Sequence, residues 1–253
     1  MSITIGIAGV AGRMGRLLAQ EAAAAGAAVV GLDRSPGPDG IATHADIGAL
    51  ARASDVVVDF THASTAVAHA AAMAAAGRPW LIGTTGLSAG DEAAVTRAAA
   101  AIAVMYAPNY APGVTLLLAL AERMAAALPA ETYDAEIIEM HHRQKVDAPS
   151  GTAVGLGRAV ARGRGVVLED VMDSGRDGHT GPRRTGAIGF AALRGGQAVG
   201  EHTLLFAAGD EQIALTHRAF DRRAFATGAI RAAFWVQTRP PGLYDMNDVI
   251  GLR

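Results

Sequence analysis

The chain has 253 residues, 51% of them hydrophobic and 18% charged, with a formal net charge of −2 and no cysteine. That length and apolar content suit one large or two modest globular domains with a sizeable core. The balanced charge argues against nucleic acid or a membrane surface as partner, and the absence of cysteine excludes disulfides, thiolate nucleophiles and cysteine metal sites.

Met1 to Gly9 reads as a short apolar strand without the features of a signal peptide, and no stretch has the length and apolarity of a bilayer span, so a cytoplasmic protein is expected. The strand, Ile3 to Ala8, runs into a glycine-rich turn and a helix from about Arg13 to Ala25. Strands follow at Ala28 to Leu32, Asp55 to Phe60, Trp80 to Gly83 and Ala103 to Ala107. Helices at Ser64 to Ala76 and Asp91 to Ala101 lie between them. This alternation predicts a parallel sheet covered on both faces. Asn109 to Gly113 is a breaker cluster suited to a boundary. Beyond it the spacing predicts a helix over Val114 to Ala127, a strand over Tyr133 to His142 and a helix over Thr152 to Ala161. An exposed loop is expected at Gly175 to Gly186, with strands at Ile188 to Arg194, Val199 to Ala207 and Gln212 to Arg218. This half reads as α+β with a mostly antiparallel sheet, and Arg223 to Val236 returns to helix.

The turn Gly9-Val-Ala-Gly12-Arg-Met-Gly15 follows a strand and opens a helix. Glycine lets backbone approach a pyrophosphate closely, and a helix N-terminus offers N–H groups and a positive dipole end. Asp33 ends the second strand, near the distance expected for an acid that binds the adenine ribose. Arg34 beside it, and Arg13 within the turn, are placed to meet a 2′-phosphate instead, so NADH, NADPH or both fit this reading. Asp59-Phe60-Thr61 and Gly83-Thr84-Thr85-Gly86 stand at strand C-termini, where ligands bind in such sheets.

The most informative stretch joins a strand to a helix: Glu139-Met-His141-His142-Arg-Gln-Lys145-Val-Asp147-Ala-Pro149-Ser150-Gly151-Thr152-Ala153. Adjacent histidines on a strand point to opposite faces, so one at most serves a given site. Ser150 is a good N-cap, and the N–H groups of Gly151 and Thr152 at the helix start suit a carboxylate. A cation, a hydroxyl and a helix start together are a way to bind a small dicarboxylate, and a histidine titrating near neutrality can supply a proton during reduction. Adjacent histidines chelate one ion poorly and no third ligand is spaced for it, so no metal is expected.

This loop resembles the signature of the 4-hydroxy-tetrahydrodipicolinate reductases, also called dihydrodipicolinate reductases. The resemblance continues through A-G-V-A-G-R-M-G, D-F-T, G-T-T-G, A-P-N-Y-A-P-G-V, R-G-G-Q-A-V-G-E-H-T and L-T-H-R-A-F-D-R-R-A-F, in the family's order. It implies a Rossmann-like dinucleotide domain from residues 1–110 and 222–253, and a central substrate-binding and oligomerisation domain from residues 111–221. It also implies a homotetramer acting on a small dicarboxylate in lysine biosynthesis. By resemblance, His141 is the general acid/base and Lys145 pairs with substrate charge. His142, Ser150, Gly151 and Thr152 contact the substrate carboxylates. Gly9, Gly12, Arg13, Met14, Asp33, Arg34, Gly83, Thr85, Ala107, Pro108, Asn109 and Tyr110 hold the cofactor, to which Phe60 and Thr84 are added from their places at strand ends. Tyr110 stands where the family usually has Phe, and His62 where many members carry a basic residue after D-F-T. Two other readings share the glycine turn. A different amino-acid dehydrogenase, aspartate or homoserine dehydrogenase-like, does not account for the histidine–lysine loop. A silent nucleotide-sensing module does not need it.

Overall fold

The computed structural model describes residues 2–252; Met1 and Arg253, the outer ends of the expected first domain, lie outside the described residues. The first elements are β1 (Thr4–Ala8), α1 (Arg13–Ala24), β2 (Ala28–Leu32), β3 (Ala42–Thr43), α2 (Ile47–Arg52), β4 (Val56–Asp59), α3 (Ala66–Ala76), β5 (Trp80–Ile82), α4 (Ala89–Ala99) and β6 (Ala103–Tyr106). Then come α5 (Pro112–Ala127), β7 (Asp134–His141), α6 (Gly151–Gly163), α7 (Leu168–Val171), β8 (Met172–Ser174), β9 (Ile188–Arg194), β10 (Gly200–Ala207) and β11 (Gln212–Ala219). The chain closes with α8 (Arg223–Val236), β12 (Gly242–Tyr244) and α9 (Met246–Ile250).

The chain divides into two compact units: residues up to Pro112 with those from Arg222 onward, and Gly113–Asp221. In the first unit, seven strands form one sheet in the order β12-β6-β5-β4-β1-β2-β3, and every pair of neighbours is parallel. Apart from β12, this is the doubly wound order, which reverses between β1 and β4 and leaves a ligand crevice beyond the strand C-termini there. Two cores flank the sheet, as a parallel sheet requires. Ile5, Ile7, Val56, Val58, Leu81 and Met105 pack with α1, α8 and α9 on one face. Val57, Trp80, Ile82 and Val104 pack with α2, α3 and α4 on the other. Local signals set the helix ends: Ser88 and Asp91 form a capping box on α4, and Gly77 closes α3 at φ 62°.

In the second unit, five strands run β11-β10-β7-β9-β8. The long pairs β10/β11 and β10/β7 are antiparallel, while β9 and β8 join parallel, so the sheet is mixed. Its core lies on one face, where Ile137, Phe190, Leu204 and Phe206 meet α5 and α6. Between β8 and β9 the backbone is irregular, with Gly175, Gly178, Gly181 and Gly186 at positive φ. Arg183 pins this stretch by ion pairs to Asp134 and Glu136 and by hydrogen bonds to the Ala135 and Ala187 carbonyls.

The elements that sequence periodicity does not bring out are short ones. β3 spans two residues, β8 three, α7 four and α2 six, while β12 and α9 follow a Pro-rich stretch that masks them. The helix expected over Ser64 to Ala76 begins as a 3₁₀ turn, Ala63–Thr65, whose start is capped by the His62 ring.

Candidate active site

The glycine turn stands beyond β1, at the point where the strand order reverses. Gly9 has φ +84°, and the Gly9 and Val10 N–H groups both donate to the Leu32 carbonyl, at 2.8 and 3.3 Å. A Cβ on Gly15 would lie 2.0 Å from the Gly9 oxygen, so only glycine lets α1 pack this close to the strand. Gly12 caps α1, and Gly12 and Arg13 are exposed while Met14 is half-buried. Asp33 accepts the Ala11 N–H at 2.9 Å and the Ser35 N–H at 3.0 Å, tying the turn to the end of β2; its neighbour Arg34 is exposed.

The ends of β4 and β5 form the adjoining wall. Asp59 is 2% exposed and accepts from His69 Nδ1 at 2.6 Å, Trp80 Nε1 at 3.3 Å and the Thr61 hydroxyl at 2.6 Å. These bonds fix the turn that carries Phe60. The Phe60 carbonyl comes within 3.1 Å of where a Cβ on Gly9 would stand, and the Phe60 ring fills the place of a side chain on Gly83. Thr85 and Pro108 are exposed and Asn109 half-buried, whereas Thr84 and Ala107 are buried. Tyr110 is buried too. Its hydroxyl donates to the Ile82 carbonyl at 2.6 Å, and burial pushes its pKa well up. The Tyr110 phenol thus serves the core and packs on Phe60 at 5.8 Å between ring centroids.

In the second unit, strand alternation sorts the histidine–lysine loop. Glu139 and His141 lie two apart on β7 and share its buried face, and β7 pairs Glu139 with His202 on β10 and His141 with Arg194 on β9. The Glu139 carboxylate, 1% exposed, is fully engaged. His141 Nδ1 donates to it at 2.5 Å, the two Arg194 amino groups at 2.8 Å each, and the Ser150 N–H at 3.0 Å. Burial opposes the Glu139 charge, but the bonds from Arg194, His141 and Ser150 outweigh it and hold its pKa below the ordinary value. His141 is 8% exposed; burial lowers its pKa, Glu139 works against that, and the positive charges of Lys145 and Arg194 lower it further.

Ser150 caps α6 as expected, its hydroxyl accepting the Ala153 N–H at 3.2 Å. The same hydroxyl is 3.0 Å from His202 Nε2 and only 2% of Ser150 is exposed, so Ser150 builds the helix start and does not present a free hydroxyl. Gly151 is exposed and Thr152 half-buried at that start. His202 packs edge-on to His141, ring centroids 5.0 Å apart, and burial, then His141, pushes its pKa down to about 4. Lys145 Nζ donates to Asp147 at 2.7 Å. The His142 backbone N–H donates to the Ala198 carbonyl.

His141 and Ser150 thus gather around a carboxylate to which sequence reading gave no role, with the Lys145 charge near enough to His141 to lower its pKa. Glu139, Arg194 and His202 are the additions. Glu139 carries a signal, since position i−2 on a strand shares the histidine's face, but Arg194 and His202 arrive through strand pairings that no local pattern announces. Among the described residues no group of three or more histidines and carboxylates is placed to hold a metal, and no helix is long and apolar enough to cross a membrane.

A doubly wound unit with a glycine turn at its crevice, together with a second unit bearing a buried carboxylate–histidine cluster, defines a nicotinamide-dependent oxidoreductase class. Family models described as dihydrodipicolinate reductase, N-terminus and C-terminus, match residues 3–110 and 113–250. The chain belongs to the dihydrodipicolinate reductase family. It is 68% identical over 256 residues to the 4-hydroxy-tetrahydrodipicolinate reductase of Granulibacter bethesdensis, covering 100% of this chain and 98% of the relative. It is 60% identical over 250 residues to that of Acidiphilium cryptum, covering 99% and 98%. Among solved structures it resembles the dipicolinate-bound dihydrodipicolinate reductase from Paenisporosarcina sp. TG-14, with TM-score 0.79, 25% identity and coverage of 99% and 100%. Neither the other amino-acid dehydrogenases nor the silent sensor is favoured.

Proposed function

We propose that this chain catalyses the NADH- or NADPH-dependent reduction of 4-hydroxy-tetrahydrodipicolinate to tetrahydrodipicolinate, on the diaminopimelate route to lysine. The observation that carries the reading is the His141–Glu139 pair, buried beside Lys145 and the start of α6, in a chain of this family.

The first unit fits a dinucleotide. Gly9, Gly12, Arg13 and Met14 would face its pyrophosphate, and Asp33 and Arg34 its adenosine ribose. Phe60, Gly83, Thr84, Thr85 and the segment from Ala107 to Tyr110 would line its nicotinamide half. The substrate loses its 4-hydroxyl with a ring proton as water, and the reduced cofactor, when bound, supplies hydride to the unsaturated ring carbon so formed. The rest is the work of the second unit. Lys145 neutralises one substrate carboxylate, and the helix start at Gly151 and Thr152, built by Ser150, receives a carboxylate, with His142 at its margin. His141 holds its Nδ1 proton against Glu139, so proton delivery falls to Nε2. Neutralising two carboxylates also orients the ring for transfer.

A homotetrameric, cytoplasmic enzyme is part of this proposal. The sheet face of the second unit opposite its core presents the exposed side chains of Ile138 and Leu193, an apolar surface suited to a like partner.

The test is loss of reduced-nicotinamide absorbance with each cofactor, with substrate generated in place from pyruvate and aspartate semialdehyde by the preceding synthase. Turnover that depends on the synthase product supports the reaction, and the ratio of rates gives the cofactor preference. No turnover with either cofactor from folded protein would overturn it.

A further inference from the structure

We infer that Glu139 and Arg194 form a positioning pair for His141: the carboxylate fixes the proton of the ring on Nδ1, and the guanidinium competes for that carboxylate so that Nε2 can give its proton up. The inference rests on the reading of His141 as proton donor.

The geometry carries the first half. Glu139 Oε2 lies 2.5 Å from His141 Nδ1, and an ionised carboxylate only accepts, so Nδ1 is the donor in every protonation state of the ring. Neutral His141 then has its lone pair on Nε2, the nitrogen that exchanges a proton with substrate. Nε2 lies beside Gly200, where a Cβ would come within 3.0 Å of it; a side chain there would crowd the reacting nitrogen.

The second half follows from counting charge. A lone buried carboxylate against an imidazole strongly favours the imidazolium, and such a ring is a poor acid. Here Arg194 grips the same carboxylate with both amino groups, at 2.8 Å each, and further bonds to the Leu193 and Asp147 carbonyls lock the fork in place. Glu139 and Arg194 together are neutral, so protonating His141 adds an uncompensated charge to a buried site. The other groups facing His141 are the neutral ring of His202 from β10 and, from the loop, Lys145 with its partner Asp147. None of these offers a rival carboxylate nearer than Glu139. The Ser150 N–H on Glu139 Oε1 extends the pair to the start of α6, so one buried carboxylate sets both the ring and the proposed carboxylate site.

The test follows the His141 ring by nitrogen and proton NMR in the full chain, assigned with His141→Gln, alongside the pH dependence of kcat. In the native protein neutral His141 should be the Nδ1–H tautomer. Arg194→Gln should raise its titration midpoint by about one pH unit and carry the kcat profile with it, and Arg194→Lys should restore the midpoint in part. Glu139→Gln should move the midpoint the other way, scramble the tautomer and lower kcat by at least about tenfold. Opposite shifts from two neighbouring substitutions are not what general damage to packing produces. If Glu139→Gln does not fold, the two Arg194 variants decide the matter by themselves. An Nε2–H tautomer in the native protein, or a midpoint that stays or falls in Arg194→Gln, overturns the pair. Full turnover in His141→Gln would instead remove the reading beneath it, an outcome the NMR titration keeps separate.

Discussion

The Lys145 ammonium lies 2.7 Å from the Asp147 carboxylate two residues along the same loop, with the Lys145 side chain 21% exposed and that of Asp147 52%. The bond from Lys145 lowers the Asp147 pKa, against a smaller opposing effect of burial. A substrate carboxylate arriving at Lys145 therefore competes with an internal partner. Exposed pairs of this kind are weak, under about 1 kcal/mol. Asp147→Asn is expected to lower KM for the dicarboxylate roughly two- to threefold, and by less at high salt. Steady-state kinetics at two ionic strengths check this. A raised KM would mean that Asp147 aims Lys145 at the substrate and does not compete for it.

His141→Gln should lower kcat by about a hundredfold to ten-thousandfold, the range of a lost general acid, with KM for the cofactor nearly unchanged. The substitution removes the titrating nitrogen and leaves the first unit untouched. Lys145→Ala, in contrast, should harm both substrate KM and kcat, because charge neutralisation serves binding and orientation together. An unchanged kcat in the first variant sinks the role of His141. Unchanged values of both constants in the second would mean that the carboxylate pocket is misplaced.

Asp33 bears on cofactor choice. Its carboxylate already holds the Ala11 N–H at 2.9 Å, so it is fixed at the end of β2 with Arg34 exposed beside it. A fixed negative charge there favours free ribose hydroxyls and repels a 2′-phosphate. Asp33→Asn keeps the shape and removes the charge. The ratio of kcat/KM for NADPH to that for NADH should rise about tenfold, equivalent to about 1.4 kcal/mol. Arg34→Ala should move the ratio the other way. A ratio unmoved in both variants would mean that neither side chain meets the ribose.

The first unit was legible because its signals are local. Gly9, Gly12 and Gly15 announce the turn, the apolar runs announce β1, β2 and β4 to β6, and Asp33 falls at a strand end as read. In the second unit, Ser150 was recognisable as a cap because capping depends only on a hydroxyl before a helical run. That its hydroxyl would turn inward to His202 was not, since His202 comes from a strand some fifty residues on, brought in by the β7/β10 register. Arg194 was hidden for the same reason, arriving on β9 by a parallel pairing. A polar side chain buried by pairings distant in sequence leaves no periodic trace. Tyr110 shows the converse: the sequence placed an aromatic ring in the breaker cluster, and only the fold assigns its hydroxyl to the Ile82 carbonyl.

The buried histidines should make the fold sensitive to mild acid. His202 is 4% exposed and its pKa falls from 6.5 to about 4, chiefly through burial and then through His141; His141 and His217 are lowered as well, burial first in each. In the unfolded chain each ring takes up a proton near 6.5, whereas folded His202 stays neutral until about 4. Between these values the unfolded state binds more protons, so stability falls as pH drops through that window. For His202 alone the loss is on the order of 3 kcal/mol. Glu139 acts in a separate window: its pKa is lowered in the fold, so its contribution is present above the ordinary value of 4.5 and is lost only as pH falls through the folded one. Urea denaturation from about pH 7 down to 5 should therefore show stability already declining. His202→Gln retains a group able to bond Ser150 and cannot take up the proton, so its decline over the same range should be shallower. A decline parallel to that of the native protein would mean that His202 is not the group responsible.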